Sequence, residues 1–344
     1  MKARSMVVLI CLVAWLSPAL AARPFRIYAV TYRGVTEVER GFADYFAERG
    51  IPVEITYRDI ALDTARLPAL VEEIRRVRPD LVYTWGSGVT LGIVGPWDQA
   101  DPARYITDIP VVFSLVAAPV NARIVPSMQS SRRNVTGVSH VASVAAQMKV
   151  MSAYKAFRFV GVLYSSNEPN ALAVLDDLRA EGRRRGFTVQ ARAFATDAAG
   201  KPTPDGVAGL IGELRRAGAE WLYLPPDSFL STQAKGLVVP AALQVGLPAF
   251  ASTEPLMAAG ALAGLVGRYY TVGQFAGYKA EQILVNKQSP SRIPVETLTR
   301  FSLQIRLPVA RRLGLLPPLA MFNYAEMLDE DFSAPAKPAA VMTR

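Results

Sequence analysis

"RPDLVYTWGSGVT", residues 78–90, decides how the chain is read. Pro79 closes the segment before it, Leu81 to Trp85 form an apolar run, and Gly86, Ser87 and Gly88 follow at once. Strand, small-residue loop and helix start in that order make a parallel α/β unit whose first helical N–H groups face a negatively charged group. "AEWLYLPPDS", residues 219–228, has the same build. Each is followed by another short apolar run, "IPVVFSLV" at 109–116 and "LPAFASTEP" at 247–255. Two related halves are expected.

Outward from these landmarks, apolar runs alternate with amphipathic helices, the pattern of parallel α/β folds. "RIYAVT" (26–31) reads as a strand, and Glu37 to Glu48 as a helix with Val38, Phe42, Tyr45 and Phe46 on one face. Val53 to Tyr57 is a strand, and Thr64 to Val77 is helical. In the second half "FVGVLYSS" (159–166), Asn170 to Arg184 and Thr188 to Ala193 repeat strand, helix, strand. Spacings agree: Arg26 to Leu81 is 55 positions and Phe159 to Trp221 is 62, while Leu81 to Val111 is 30 and Trp221 to Ala249 is 28. The crossover is placed near 137–155, with a later helix from Thr271 to Asn286 and a β segment within Val295–Ile305. Lobe 1 is therefore expected over 23–138 plus about 266–292, and lobe 2 over 139–265 plus about 293–316. Residues 317–344, which include "SAPAKPAA" (333–340), are expected to be a Pro/Ala-rich, poorly ordered tail.

Residues 1–22 read as a secretory signal: Lys2 and Arg4, an apolar Met6 to Leu16, Pro18, then Ala19-Leu20-Ala21 as a small-x-small cleavage site. The apolar part is short for a membrane span. Cys11, the only cysteine, lies inside it behind Ile10, which is not the small residue a lipoprotein signal needs. A thiol-free, soluble, periplasmic protein is expected. The formal charge of +9 becomes +7 without Lys2 and Arg4, and the basic residues are scattered, many at helix C-termini where cations suit the helix dipole. A nucleic-acid partner is not expected.

Most catalytic chemistry is missing from the residue list. The single histidine, His140, reads as a structural hydrogen-bonding residue, and with no mature cysteine a transition-metal site is not expected. Neither a P-loop nor a G-x-S-x-G elbow occurs, and the "GSG" at 86–88 lacks the third glycine of a dinucleotide loop, so no cofactor is expected. Paired-carboxylate catalysis through Asp227 and Glu254 is the one route the residues leave open.

Ligands bind at the carboxyl ends of strands in open α/β sheets. The strand ends of the first half carry Tyr32, Arg33, Trp85, Ser87, Gly88 and Ser114. Those of the second carry Asn167, Glu168 and Asn170, then Asp227, Ser228 and Phe229, then Ser252 and Glu254. One side is rich in small residues, hydroxyls and rings, and the other in amides and carboxylates. An amphiphilic zwitterion held between the halves suits both: its carboxylate on Ser87, Gly88 and nearby N–H groups, its ammonium on Asp227 or Glu254, its apolar part on Trp85, Tyr32 or Phe229. The same Ser and Asp residues would also serve as ordinary helix caps.

Together with "IPVVFSLVAAPVNARIV", "NVTGVS" (134–139), "VGVLYSSNEPNA" (160–171), "GALAGL" (260–265), "YYTVGQFAGYKAEQIL" (269–284) and "IPVETLTRFSLQI", these landmarks make the chain resemble the substrate-binding proteins of ABC importers. The family in question includes tryptophan- and tyrosine-type binding proteins, and the resemblance runs from Arg26 to Leu315. It implies a type I periplasmic-binding-protein fold: two Rossmann-like lobes with parallel sheets, three interlobe crossovers and a ligand in the cleft. It also implies a small-molecule ligand, with ABC permease and ATPase subunits as separate chains. Its ligand-facing loops map to those around Tyr32, Ser87, Gly88, Ser114, Asn167, Asn170, Asp227 and Ser252. Family members often carry aspartate-proline where this chain has Ala118-Pro119, which points to a less cationic ligand. A monomeric solute receptor is expected; the alternative is a ligand-sensing periplasmic component of a signalling system.

Overall fold

The computed structural model describes residues 23–329; the expected export signal and residues 330–344 lie outside the described residues. Lobe 1 begins with β1 (Phe25–Thr31), α1 (Glu37–Glu48), β2 (Val53–Asp59), α2 (Leu67–Val77), β3 (Leu81–Trp85), α3 (Gly86–Val94), β4 (Val111–Ser114) and β5 (Val135–Ser139). Central strands β3, β4 and β5 are buried along their whole length, as parallel strands covered on both faces must be.

The chain then enters lobe 2 with α4 (Val144–Tyr154), β6 (Phe159–Tyr164), α5 (Pro169–Arg185), β7 (Thr188–Ala193), α6 (Val207–Arg216) and β8 (Trp221–Leu224). It continues with α7 (Ser228–Gln233), α8 (Val239–Gln244), β9 (Ala249–Ala251), α9 (Glu254–Ala258) and β10 (Ala263–Val266). Helix α10 (Tyr269–Leu284) returns to lobe 1, where β11 (Glu296–Thr297) joins the first sheet. Strand β12 (Ser302–Arg306), α11 (Leu307–Leu313) and β13 (Glu326–Leu328) belong to lobe 2. The sheets run β11-β5-β4-β3-β1-β2 and β13-β12-β10-β9-β8-β6-β7, all pairs parallel except β10 with β12. The chain thus crosses between lobes three times, as a type I periplasmic-binding-protein fold requires. Two of these connections are tied by an antiparallel bridge between Val141 and Val266.

One face of the first sheet packs on α1 and α10 through Phe42, Phe46, Val272 and Ala276 against Ile27, Tyr83 and Val112. The other packs on α2 and α3 through Val71, Ile74 and Ile93 against Tyr28, Val82 and Val111. Contact between α1 and α10 is backbone-close: a Cβ on Gly273 would lie 1.9 Å from the Val38 carbonyl oxygen, and one on Gly41 would lie 2.0 Å from that of Tyr270. Lobe 2 has its own core around Trp221, Tyr223 and Phe250. Among the described residues no helix is long and apolar enough to cross a membrane.

Two expectations need correction. The stretch Val295–Ile305 is not one β segment of lobe 2: Glu296–Thr297 pairs with Val138–Ser139 of lobe 1, and only Ser302–Arg306 joins lobe 2. Lys279, fully buried in α10, holds the first piece through the Pro294 carbonyl (2.7 Å) and the Glu296 carboxylate (2.6 Å). The tail also does not begin at 317. Glu326–Leu328 extends the second sheet beside β12, and the Glu326 carboxylate accepts from Ser302 Oγ (2.9 Å), Gln304 Nε2 (3.0 Å) and Arg268.

Candidate functional site

The carboxyl ends of the strands of both lobes face one cleft of about 420 Å³. Its lobe 1 wall begins at the β3–α3 junction. Gly86 takes φ +73°, which turns the chain from strand into helix with no connecting loop. A side chain there would cost roughly 1–2 kcal/mol. Residues Gly86 to Val89, the first turn of α3, line the cleft, and no side chain caps that turn. Its orphan N–H groups and the positive end of the helix dipole therefore meet the cleft. Ser87 is 2% exposed, and its Oγ donates across the cleft to Asn170 Oδ1 at 2.7 Å.

Tyr32 stacks on Trp85 with ring centroids 5.5 Å apart and planes 11° apart. The Arg33 guanidinium lies over the same indole, 5.3 Å from its centroid. Leu62 and Leu115 also line the cleft, both with left-handed backbone at φ +66° and +55°. His140 is 4% exposed and meets Tyr269 edge-on at 5.6 Å; burial pushes its imidazole down to about 3, so it is neutral at physiological pH.

The lobe 2 wall carries the acids. Asp227 is 3% exposed and already engaged: it accepts from the Ser165 N–H (2.6 Å), Ser165 Oγ (3.0 Å) and the Leu230 N–H (2.9 Å), capping α7. Glu168, just before α5, is approached by Ser228 through its Oγ (3.4 Å) and its backbone N–H, and makes no ion pair among the described residues. Burial, reinforced by the charge of Asp227, pushes its carboxyl up to about 7. Asn167 is exposed and donates to the Gly200 carbonyl (3.3 Å), which brings Lys201 and Pro202 to the rim.

Of the side chains singled out from sequence, Tyr32, Trp85, Ser87, Gly88, Asn167, Asn170, Asp227 and Ser228 line this cleft. Three do not. Ser114 is fully buried beneath it, 2.5 Å from the Tyr83 hydroxyl, which in turn donates to Glu39. Ser252 is fully buried at the end of β9, and its neighbour Thr253 reaches the cleft instead. Glu254 accepts from the Tyr269 N–H (2.7 Å) and pairs with Arg268 (3.2 Å), so it caps α10 and pins a crossover rather than offering a carboxylate to a ligand. Ala118 is outside the lining as well. Sequence reasoning missed His140 and Tyr269, because they sit on crossovers rather than at the carboxyl end of a βα unit. Among the described residues no group of three or more His, Cys, Asp or Glu side chains could hold a metal ion.

Two lobes on largely parallel sheets, three crossovers and a cleft lined from both sides define a bilobed solute-binding protein. The chain matches the family described as ABC transporter substrate binding protein over residues 28–327, and it belongs to that family. It is 24% identical over 292 residues to a tyrosine-binding protein of Clostridioides difficile, covering 83% of this chain and 79% of the relative. A Streptococcus pneumonia ABC domain solved in complex with L-Trp superposes with a TM-score of 0.76 at 21% identity, covering 89% of this chain and 99% of that one. A conserved domain protein of Vibrio cholerae gives 0.76 at 19% identity, covering 89% and 100%.

Proposed function

We propose that this chain is the periplasmic receptor of an ABC importer, capturing an amino-acid-like molecule and passing it on unchanged. Permease and ATPase are separate chains, the receptor works as a monomer, and it uses no cofactor and catalyses no reaction. The observation that carries this reading is the pairing, across one cleft, of the uncapped first turn of α3 with the unpaired carboxylate of Glu168. A ligand carboxylate fits the free N–H groups of Gly86 to Gly88; an ammonium fits Glu168; an apolar side chain fits Tyr32 and Phe229. Asp227 holds α7 and Ser165 in place rather than meeting the ammonium. The tyrosine-binding relative and the L-Trp-bound structure support the amino-acid class.

The test is a thermal-shift and calorimetry panel of L-tyrosine, L-tryptophan and L-phenylalanine, each beside its deaminated acid and its decarboxylated amine. Intact amino acids are expected to stabilise most, by about 2.7 kcal/mol at a hundredfold excess over Kd. Ser87→Ala removes the bond to Asn170 that joins the two walls of the cleft and should weaken binding about tenfold, one hydrogen bond's worth. No stabilisation by any panel member would sink the reading. Chemical change of a bound ligand would convert the receptor into an enzyme.

A further inference from the structure

On the α1/α10 side of the first sheet the cleft holds a group of polar side chains, two of them with buried nitrogens that have no partner. Arg33 lines it, half-buried, and among the described residues makes no ion pair: its only recorded partner is the Trp85 ring. Trp85 is 9% exposed, and its buried Nε1 has no hydrogen-bond partner. His140 is 4% exposed, and its buried Nδ1 has none either. Buried polar atoms without partners are rare and call for one. Tyr269 stands close to His140, with its hydroxyl beside Thr253 and near enough to Arg33 for that charge to act on it.

This group is separate from the first turn of α3. Trp85 and Tyr269 belong to the core on the α1/α10 face of the sheet, whereas α3 packs on the opposite face through Val89 and Ile93. The two donor sets therefore straddle the carboxyl edge of the sheet. A guanidinium is the side chain suited to a carboxylate, through its planar set of N–H donors.

We propose that Arg33, with Trp85 Nε1, His140 and Tyr269, forms a second oxyanion subsite, so that the ligand carries a second acidic group besides the carboxylate on α3. This rests on the amino-acid reading of the cleft and narrows it to ligands with an acidic side chain. Two matched pairs test it by calorimetry at pH 7.5: L-glutamate with L-glutamine, and 4-carboxy-L-phenylalanine with L-phenylalanine. In at least one pair the acid should bind ten times or more tighter than its neutral partner. Arg33→Ala should erase that preference, bringing the acid's affinity down to that of its neutral partner in the same variant. Arg33→Gln, which keeps the stem over Trp85, should give the same loss of preference and guards against misfolding of the alanine variant.

Neutral partners binding as well as the acids would overturn the second subsite and leave the amino-acid receptor standing. An acid preference that persists in both Arg33 variants would also overturn it. Failure of every probe, L-tryptophan included, to bind the wild-type protein would overturn both.

Discussion

Glu168 is the side chain on which pH acts in this cleft. Its carboxyl titrates near 7 in the folded chain against 4.5 for an ordinary glutamate. The folded state therefore holds an extra proton between those values, and this group's contribution to stability falls as pH rises through that window. A ligand ammonium reverses the preference by favouring the ionised form. Amino-acid binding at pH 7 should therefore release a proton, and affinity should rise between pH 6 and pH 8. Calorimetry in buffers of different ionisation enthalpy reads the release directly, and Glu168→Gln should abolish it; proton uptake by the wild type would contradict the assignment. Position in sequence could not separate Glu168 from Asp227 or Glu254. All three follow lobe 2 strands, and only the fold shows that two are used up as helix caps.

At the scale of elements, α1 was legible to the residue: the run of Val38, Phe42 and Phe46 defines the buried stripe, and the observed range is Glu37–Glu48. Its partner was not. Helix α10 lies more than two hundred positions away, and the seam between them depends on Gly41 and Gly273 allowing backbone to touch backbone. Gly273→Ala puts a methyl 1.9 Å from the Val38 carbonyl oxygen, so the helices must separate. A loss of about 1–3 kcal/mol or more is expected, read as a lower denaturant midpoint. An unchanged midpoint would mean that the helices are not in backbone contact. Arg133 shows the same dependence on tertiary placement: from a loop it donates to the Gly95 carbonyl (2.8 Å) and to that of Val94, closing the C-terminus of α3.

Over the whole molecule, the lobes are joined by crossovers at one end of the cleft and by the Ser87–Asn170 hydrogen bond inside it. The C-terminal segment is part of that frame. Strand β13 edges the second sheet, and Glu326 ties Arg268, beside a crossover, to β12. A chain ended after Leu316 loses both contacts, and its Tm should fall by at least ~5 °C. A truncated chain that melts with the full-length protein would show the segment to be dispensable. Here composition misled, because proline and alanine after 332 obscured the short pairing strand before it.

The amino-acid sequence by itself determined the α/β class, the two-lobed repeat and the strand-end loops that line the cleft, since these follow from hydrophobic period and local turn chemistry. Tertiary structure alone decided which strand-end polar groups remain free. Asp227, Glu254, Ser114 and Ser252 resemble ligand contacts in a list of residues, yet the first two cap helices and the last two are buried outside the cleft. Arg33 and Glu168 both line the cleft, and among the described residues neither makes an ion pair. Pairing between residues dozens to hundreds of positions apart is set by packing, and no local pattern encodes it.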